Sequence, residues 1–435
     1  MSENQLGLFA APAPAPKERM ALRPYQQEAF EKIMWAMENL PDGNDLVILP
    51  TGAGKSIVIA HVAHALNMPI LILQPTKEIL EQNYAKLLKY VGASEIGIFS
   101  ASMNERTIRT YTFATIQSIY QRAELFSHFK LVIIDEAHLV NPKNLGGMFT
   151  SFLKKIGMPK VIGLTATPYR MDNMYIGYGT EQVRVVATIK LINRMKGFFW
   201  QRILFNTDIA ALIEAGYLCP LEYVDMSVVK HEEIPLNKSQ SEFDMEKYEN
   251  VLESRKQKIR DAIQHGMDTS KSVLVFCSSV HQATKLGEEW NAPAVSAKTS
   301  AKERDRIIKG FKDGSIKLVF NVGVLTTGFD HPALDCIVLL RPTRSIGLYY
   351  QMLGRGVRIA PGKTACKVID LTSTVKSMGR VETIKLIKRE KWELESEAGS
   401  WHARELYSYL YTKGGGSTAP KTNTSLHDAI RAVES

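Results

Sequence analysis

At 435 residues, 45% hydrophobic and 23% charged, the chain exceeds the size at which one core keeps growing, so two or three globular domains are expected. No apolar run approaches the roughly 20 residues that cross a bilayer, and the start lacks the basic-then-apolar order of a secretory leader, which reads as a cytosolic protein. A net charge of +9 suits a polyanionic partner without requiring one, while Cys219, Cys277, Cys336 and Cys366 stand too far apart for a C-x-x-C metal pair or a local disulfide framework. They read as reduced core residues.

Residues 1–18 pass from a short apolar peptide into an Ala-Pro alternation, a stiff composition without core formers, and are expected as a flexible tail. From Leu22 onward, β-branched runs alternate with amphipathic segments: Asp45-Leu-Val-Ile-Leu, Ile70-Leu-Ile-Leu, Leu131-Val-Ile-Ile and Val161-Ile-Gly-Leu. Short apolar runs of this kind between helices predict a parallel α/β sheet covered on both faces. Residues 172–215 are aromatic and basic with weak periodicity, and 230–270 carry a charged helical pattern. A second series follows in Ser272-Val-Leu-Val-Phe, Lys317-Leu-Val-Phe-Asn, Cys336-Ile-Val-Leu-Leu and Lys367-Val-Ile-Asp-Leu. The expected division is a first α/β domain over 19–225, a second over 226–375, and a helical, charged extension with a polar tail over 376–435.

Directly after the first strand stands Pro50-Thr51-Gly52-Ala53-Gly54-Lys55-Ser56. Glycines let backbone N–H groups approach phosphates, and the helix start behind them adds positive potential, so Thr51, Gly52, Ala53, Gly54, Lys55 and Ser56 are assigned to a nucleotide triphosphate. Lys55 reaches the outer phosphates and the Ser56 hydroxyl binds magnesium. Leu49 replaces the usual first glycine of the pattern. The strand Leu131-Val-Ile-Ile ends in Asp135-Glu136-Ala137-His138, where ligands bind in open α/β sheets. Asp135 is therefore placed on the magnesium, and Glu136 beside the γ-phosphate as the base for the attacking water.

In their order these segments resemble the motifs of superfamily 2 helicases across residues 22–371, with the DEAH form of the acidic pair. The resemblance implies two RecA-like parallel-sheet domains in tandem with an ATP cleft between them. It implies adenine recognition by Arg23 and Gln26 in Leu22-Arg-Pro-Tyr-Gln. It also implies a coupling role for Thr165-Ala-Thr-Pro, and nucleotide contacts from Gly328 and Asp330 in Asn321-Val-Gly-Val-Leu-Thr-Thr-Gly-Phe-Asp. Gln351-Met-Leu-Gly-Arg-Gly-Val-Arg supplies Gln351 at the cleft, with Arg358 as the arginine finger and Arg355 on phosphate or holding the cleft. The motifs are most similar to those of the RadD family of bacterial DNA-repair ATPases and of phage branch-migration helicases. The cysteine-rich zinc region of RadD proteins has no counterpart here.

The same resemblance implies a strand held mainly through its phosphates, by Thr76, Lys77, Thr115 and Gln117 on the first domain and by Ser278 and Thr326 on the second. Each hydroxyl among these is equally suited to a helix cap or turn. Gln5-Leu6-Gly7-Leu8-Phe9 is similar to the bacterial sliding-clamp-binding pentapeptide, with Gln5, Leu6, Leu8 and Phe9 as its contacts. The expected function is an ATP- and Mg2+-dependent DNA helicase or translocase. An RNA helicase, a restriction-enzyme motor subunit and a clamp-tethered, ATP-switched interaction protein are the alternatives.

Overall fold

The computed structural model describes residues 20–141, 146–178, 182–195, 199–237, 242–326, 329–401 and 407–412. The four apolar runs of the first half form adjacent central strands of an eight-stranded sheet. Its order is Arg202–Asn206, Asn44–Ile48, Lys160–Thr165, Leu131–Asp135, Ile70–Leu73, Tyr111–Ala114, Ile96–Ser100 and Glu105–Arg106. Every pairing is parallel except the last, and the central strands are buried along their whole length, which explains why they read as unbroken apolar runs. Register fixes the site: Ile48 pairs with Thr165 and Leu164 with Asp135, so the phosphate loop, the acidic pair and the threonine motif leave the sheet at one edge.

The opposite edge is pinned by charge. Asp45, fully buried, accepts from Lys160 Nζ at 2.6 Å and from Arg202 Nε at 2.6 Å, tying three neighbouring strands at their starts. Lys160 donates also to the Leu40 carbonyl at 2.5 Å. Beneath the acidic loop, the buried Trp200 packs so closely on Gly163 that a Cβ there would stand 2.3 Å from the ring.

The second half builds a six-stranded parallel sheet ordered Leu221–Asp225, Cys366–Asp370, Cys336–Leu339, Val273–Phe276, Leu318–Asn321 and Ala294–Val295. Leu221–Asp225 pairs residue for residue with Cys366–Asp370, so the chain enters the second lobe before Leu221, ahead of the expected division after residue 225. Only this distant pairing assigns the strand; its own side chains are half-exposed and mixed. All four cysteines are free and buried.

The weakly periodic stretch after Pro168 is a long antiparallel hairpin, Tyr169–Tyr178 with Gln182–Leu191, to which Tyr407–Thr412 adds a third strand. The expected helical extension is largely a correction. Past the short helix Thr374–Met378 come antiparallel strands Lys385–Lys388, Trp392–Ser396 and Gly399–Ser400. Charge density there resembles a helix surface, but the alternation about Leu394 has the period of a strand, burying that residue while Glu393 and Glu395 point away. Arg389 pairs with Glu393 and Glu395, and the Lys388 ammonium lies 5.4 Å from the Trp392 ring centre. This extension touches both lobes. Tyr349 Oη donates to the Gly379 carbonyl at 2.8 Å, and Asn206 Nδ2 to the Leu386 carbonyl at 3.2 Å. Among the described residues no helix is long and apolar enough to cross a membrane.

Candidate active site

The phosphate loop adopts the open shape its glycines permit, with Gly52 at φ +84° and Gly54 at φ +81°, before the helix Lys55–Leu66 begins. The helix Pro24–Asn39 braces it from outside: Tyr25 Oη and Gln26 Nε2 each donate to the Ala53 carbonyl at 2.8 Å. Gln26 Oε1 also accepts from the Arg23 amide at 2.9 Å, so one end of the side chain expected to read adenine holds the loop and the other caps its own helix. Arg23 stacks over Tyr217, its guanidinium carbon 5.1 Å from the ring centre, and donates to the Tyr217 carbonyl. Tyr217 itself lies 5.3 Å from the Tyr25 ring. No sequence signal pointed to Tyr217, which follows a helix 194 residues from Arg23.

Facing the loop, Asp135 is buried and accepts from Asn83 Nδ2 at 3.0 Å and from the Glu136 amide at 3.0 Å. Asn83, on the helix Lys77–Leu87, was likewise invisible to sequence reasoning. Glu136 takes the left-handed conformation, φ 53°, a costly shape for a side-chain-bearing residue that turns its carboxylate out of the strand line. The carboxylate lies 3.5 Å from Lys55 Nζ and 3.3 Å from His138 Nδ1. Burial and the Glu136 charge push the Asp135 carboxyl up to about 6, against Lys55 and Asn83. Burial alone would raise Glu136 too; Lys55, then His138 and Arg355, outweigh it and hold that carboxyl below the usual range. Glu136 is the member of the pair that gives up its proton more readily.

His138 joins this pair to the rest of the cleft. Its Nδ1 lies 3.0 Å from Thr165 Oγ1 and 3.2 Å from Thr167 Oγ1, and its Nε2 is 3.3 Å from Gln351 Nε2 of the second lobe. With its proton on Nδ1 the ring donates to one of these hydroxyls or to Glu136, and Nε2 is left to accept from the glutamine amide. Gln351 therefore meets the acidic loop's histidine across the cleft.

The second lobe closes on the loop through Gly354. A Cβ there would stand 2.7 Å from Thr51 Cβ, so glycine is what lets the lobes touch. Arg355 is buried and donates to the carbonyls of Thr326 at 3.0 Å and Phe329 at 2.8 Å, holding the preceding loop of its own lobe. Burial lowers its guanidinium to about 10, with the Glu136 charge acting the other way. Arg358 lies along the phosphate loop: its Cγ would be 3.2 Å from a Cβ on Gly52, and its guanidinium pairs with Asp330. Lys86 of the first lobe and Lys312 of the second both have lowered ammonium pKa values. Burial is the main cause in each, and the Arg358 charge adds to it. The Arg358 charge is thus felt by lysines of both lobes.

The residues expected to grip a strand divide in two. Thr76 caps its helix at the Ile79 amide, Thr115 Oγ1 lies 2.8 Å from Ser118 Oγ, and Thr326 donates to the Gly323 carbonyl at 2.7 Å. Ser278 is buried and donates to Glu249 at 2.9 Å and to Gln282 at 3.0 Å. All four hydroxyls have local partners, whereas Lys77, paired with Glu81, and Gln117 are on the surface. Gly328 and the peptide with Gln5, Leu6, Leu8 and Phe9 lie outside the described residues.

Two parallel-sheet lobes, with a phosphate loop and acidic pair on one and an arginine pair on the other, define a two-lobed P-loop core. The chain belongs to helicase superfamily 2. Residues 19–170 match the family model described as Type III restriction enzyme, res subunit, and residues 255–360 match Helicase conserved C-terminal domain. Over 382 residues it is 26% identical to IRC3 of Saccharomyces cerevisiae, covering 80% of this chain and 51% of that protein. It is 25% identical over 384 residues to the DNA 3'-5' translocase XPB2 of Sulfurisphaera tokodaii, covering 80% and 81%. The chain spans about half the length of its two yeast relatives, 51% of one and 58% of the other. Among solved structures, the ATP-dependent Type ISP restriction-modification enzyme LlaBIII bound to DNA matches with TM-score 0.59 at 18% identity, over 81% of this chain and 28% of that one. Dbp5 of S. cerevisiae bound to RNA and ADP BeF3 matches with TM-score 0.52 at 13% identity, over 82% and 92%. These two likenesses concern the fold.

Proposed function

We propose that this chain is an ATP-driven DNA motor, a helicase or translocase serving repair, recombination or replication, with branch migration among its uses. One observation carries the reading: Lys55 and Glu136 from the first lobe and Arg355 and Arg358 from the second converge on a single cleft, bridged by His138 and Gln351. Glu136, held ionised by Lys55 and His138, accepts the proton of the attacking water. Arg358 leaves Asp330 for the phosphates and stabilises charge developing on them, which ties hydrolysis to closure of the lobes. Closure then shifts the two lobes' grips on a strand relative to each other.

A divalent cation fits this donor set: the Ser56 hydroxyl at the loop and the buried Asp135 carboxylate would hold it, and with the triphosphate bound it neutralises phosphate charge. Among the described residues no group of three or more His, Cys, Asp or Glu side chains is placed to hold a metal ion by itself.

The names of the archaeal and bacterial relatives, a DNA 3'-5' translocase and a DNA 3'-5' helicase, support DNA as the track. The deciding experiment is ATP turnover with single-stranded, duplex, forked and four-way DNA, against RNA at matched salt, because salt alone shifts phosphate-dominated binding. DNA should stimulate turnover and RNA should not. Turnover indifferent to any nucleic acid would leave only an ATP-switched scaffold. The N-terminal peptide is proposed to recruit the motor to a sliding clamp, with Leu8 and Phe9 as apolar anchors. The doubly substituted Leu8→Ala, Phe9→Ala chain should then lose clamp capture in a pull-down, and equal capture would dismiss the idea.

A further inference from the structure

The loop that carries Arg358 turns back at once. Ala360-Pro361-Gly362-Lys363 forms a turn in which the Lys363 amide donates to the Ala360 carbonyl at 3.1 Å and Gly362 takes φ +75°. Proline second and a positive-φ glycine third are what a type II turn requires. The turn brings the Lys363 ammonium under the loop it has just left. There it donates to the carbonyls of Gly356 at 2.6 Å, Arg358 at 2.8 Å and Pro332 at 3.2 Å. An ammonium has three N–H donors, and here three main-chain oxygens from two separate segments receive them.

Those acceptors are informative. One is the finger residue's own carbonyl and another lies two residues before it; between them the Val357 carbonyl accepts from the Cys219 amide at 2.7 Å, so three successive carbonyls are held. The third, on Pro332, belongs to the turn just after Asp330, the carboxylate that pairs with Arg358. Val357 anchors the start of the loop in the core, but past Arg358 the chain is loosely held: Ile359 is 45% exposed and the turn lies at the surface. Charge-assisted bonds of this kind are shorter and stronger than neutral ones.

We propose that Lys363 is a positioning residue for ATP hydrolysis: it fastens the Arg358 loop to the 330–332 turn, so the finger travels with the second lobe as one piece and arrives aligned. Lys363 does not touch the nucleotide. The inference rests on Arg358 being the finger, and its test separates the two.

In the full chain, Lys363→Met, Arg358→Ala and the double variant are compared for kcat, KM for ATP, and affinity for ADP with and without aluminium fluoride, which mimics the transferring phosphoryl group. Lys363→Met should lower kcat about tenfold to a hundredfold, the cost of a slight misplacement, and weaken the aluminium fluoride complex by the same factor while ADP affinity stays as it was. Added to Arg358→Ala, it should cost nothing more. An undiminished aluminium fluoride complex in Lys363→Met overturns the proposal, and so does equal weakening of ADP, which would mean general damage to the cleft. If Arg358→Ala keeps the aluminium fluoride complex, the finger reading itself fails and takes this one with it. Should Lys363→Met melt early, Lys363→Gln, which retains amide donors, must show the same selective loss in smaller degree.

Discussion

Replacing Glu136 by glutamine should lower ATP turnover by about a hundredfold to ten-thousandfold, the range over which positioned general bases act, while leaving ATP binding and thermal stability nearly unchanged. The amide preserves shape, and its oxygen can still accept from Lys55 at the position now 3.5 Å away. What it lacks is the charge that Lys55, His138 and Arg355 hold in place by keeping the Glu136 carboxyl well below the usual range. Because burial works against that ionisation, the Lys55 and Arg355 charges are needed to keep the proposed base ionised. Single-turnover measurement with saturating DNA isolates the chemical step from product release. Turnover within a factor of ten of the unsubstituted chain would place the base elsewhere. Lys55→Ala is the less discriminating control, since it removes a phosphate contact and the counter-charge of Glu136 together.

The local parts of this site were legible because they depend on neighbours in sequence. A strand, a glycine loop and a helix start follow one another at 44–66, and the acidic pair ends its own strand. The central strands were legible for a related reason: burial on both faces leaves an uninterrupted apolar run. Asn83 shows the opposite case. It is one polar residue on a helix with no mark of its purpose, and only the crossover of the sheet brings it to Asp135, 52 residues away. Tyr217 is similar. The Ala-His ending of the acidic motif was plain in the sequence, but His138 acquires its bridging part from Thr165, Thr167 and Gln351, the last 213 residues distant. At the C-terminus, alternating Glu and Lys masked strand periodicity behind helix-like composition, and the pairing of Leu386 with Leu394 reveals it.

The largest stability effect should come from the far edge of the first sheet, where Asp45→Asn is expected to destabilise that lobe by about 3–5 kcal/mol. The reason is what remains behind. Lys160 is 4% exposed at its side chain, and without the Asp45 charge its ammonium is left buried with only neutral acceptors, the Leu40 carbonyl among them. Arg202 contributes to the same carboxylate but is 36% exposed at its side chain, so water and salt already weaken its share. Arg202→Ala should therefore cost under about 1 kcal/mol, despite an equally short bond in the structure. The ordering tests the argument better than either value: denaturant unfolding of the first lobe, followed by the fluorescence of the buried Trp200, should place Asp45→Asn well below Arg202→Ala. Joint replacement by Asp45→Leu and Lys160→Met removes both buried charges and should recover much of the loss, as apolar substitution of a buried pair commonly does. If the double variant is as unstable as Asp45→Asn alone, the stranded ammonium is not the cause. The fault would then lie in the strand register that Asp45, Lys160 and Arg202 set together, and the phosphate loop at the other end of those strands would be expected to fail with it.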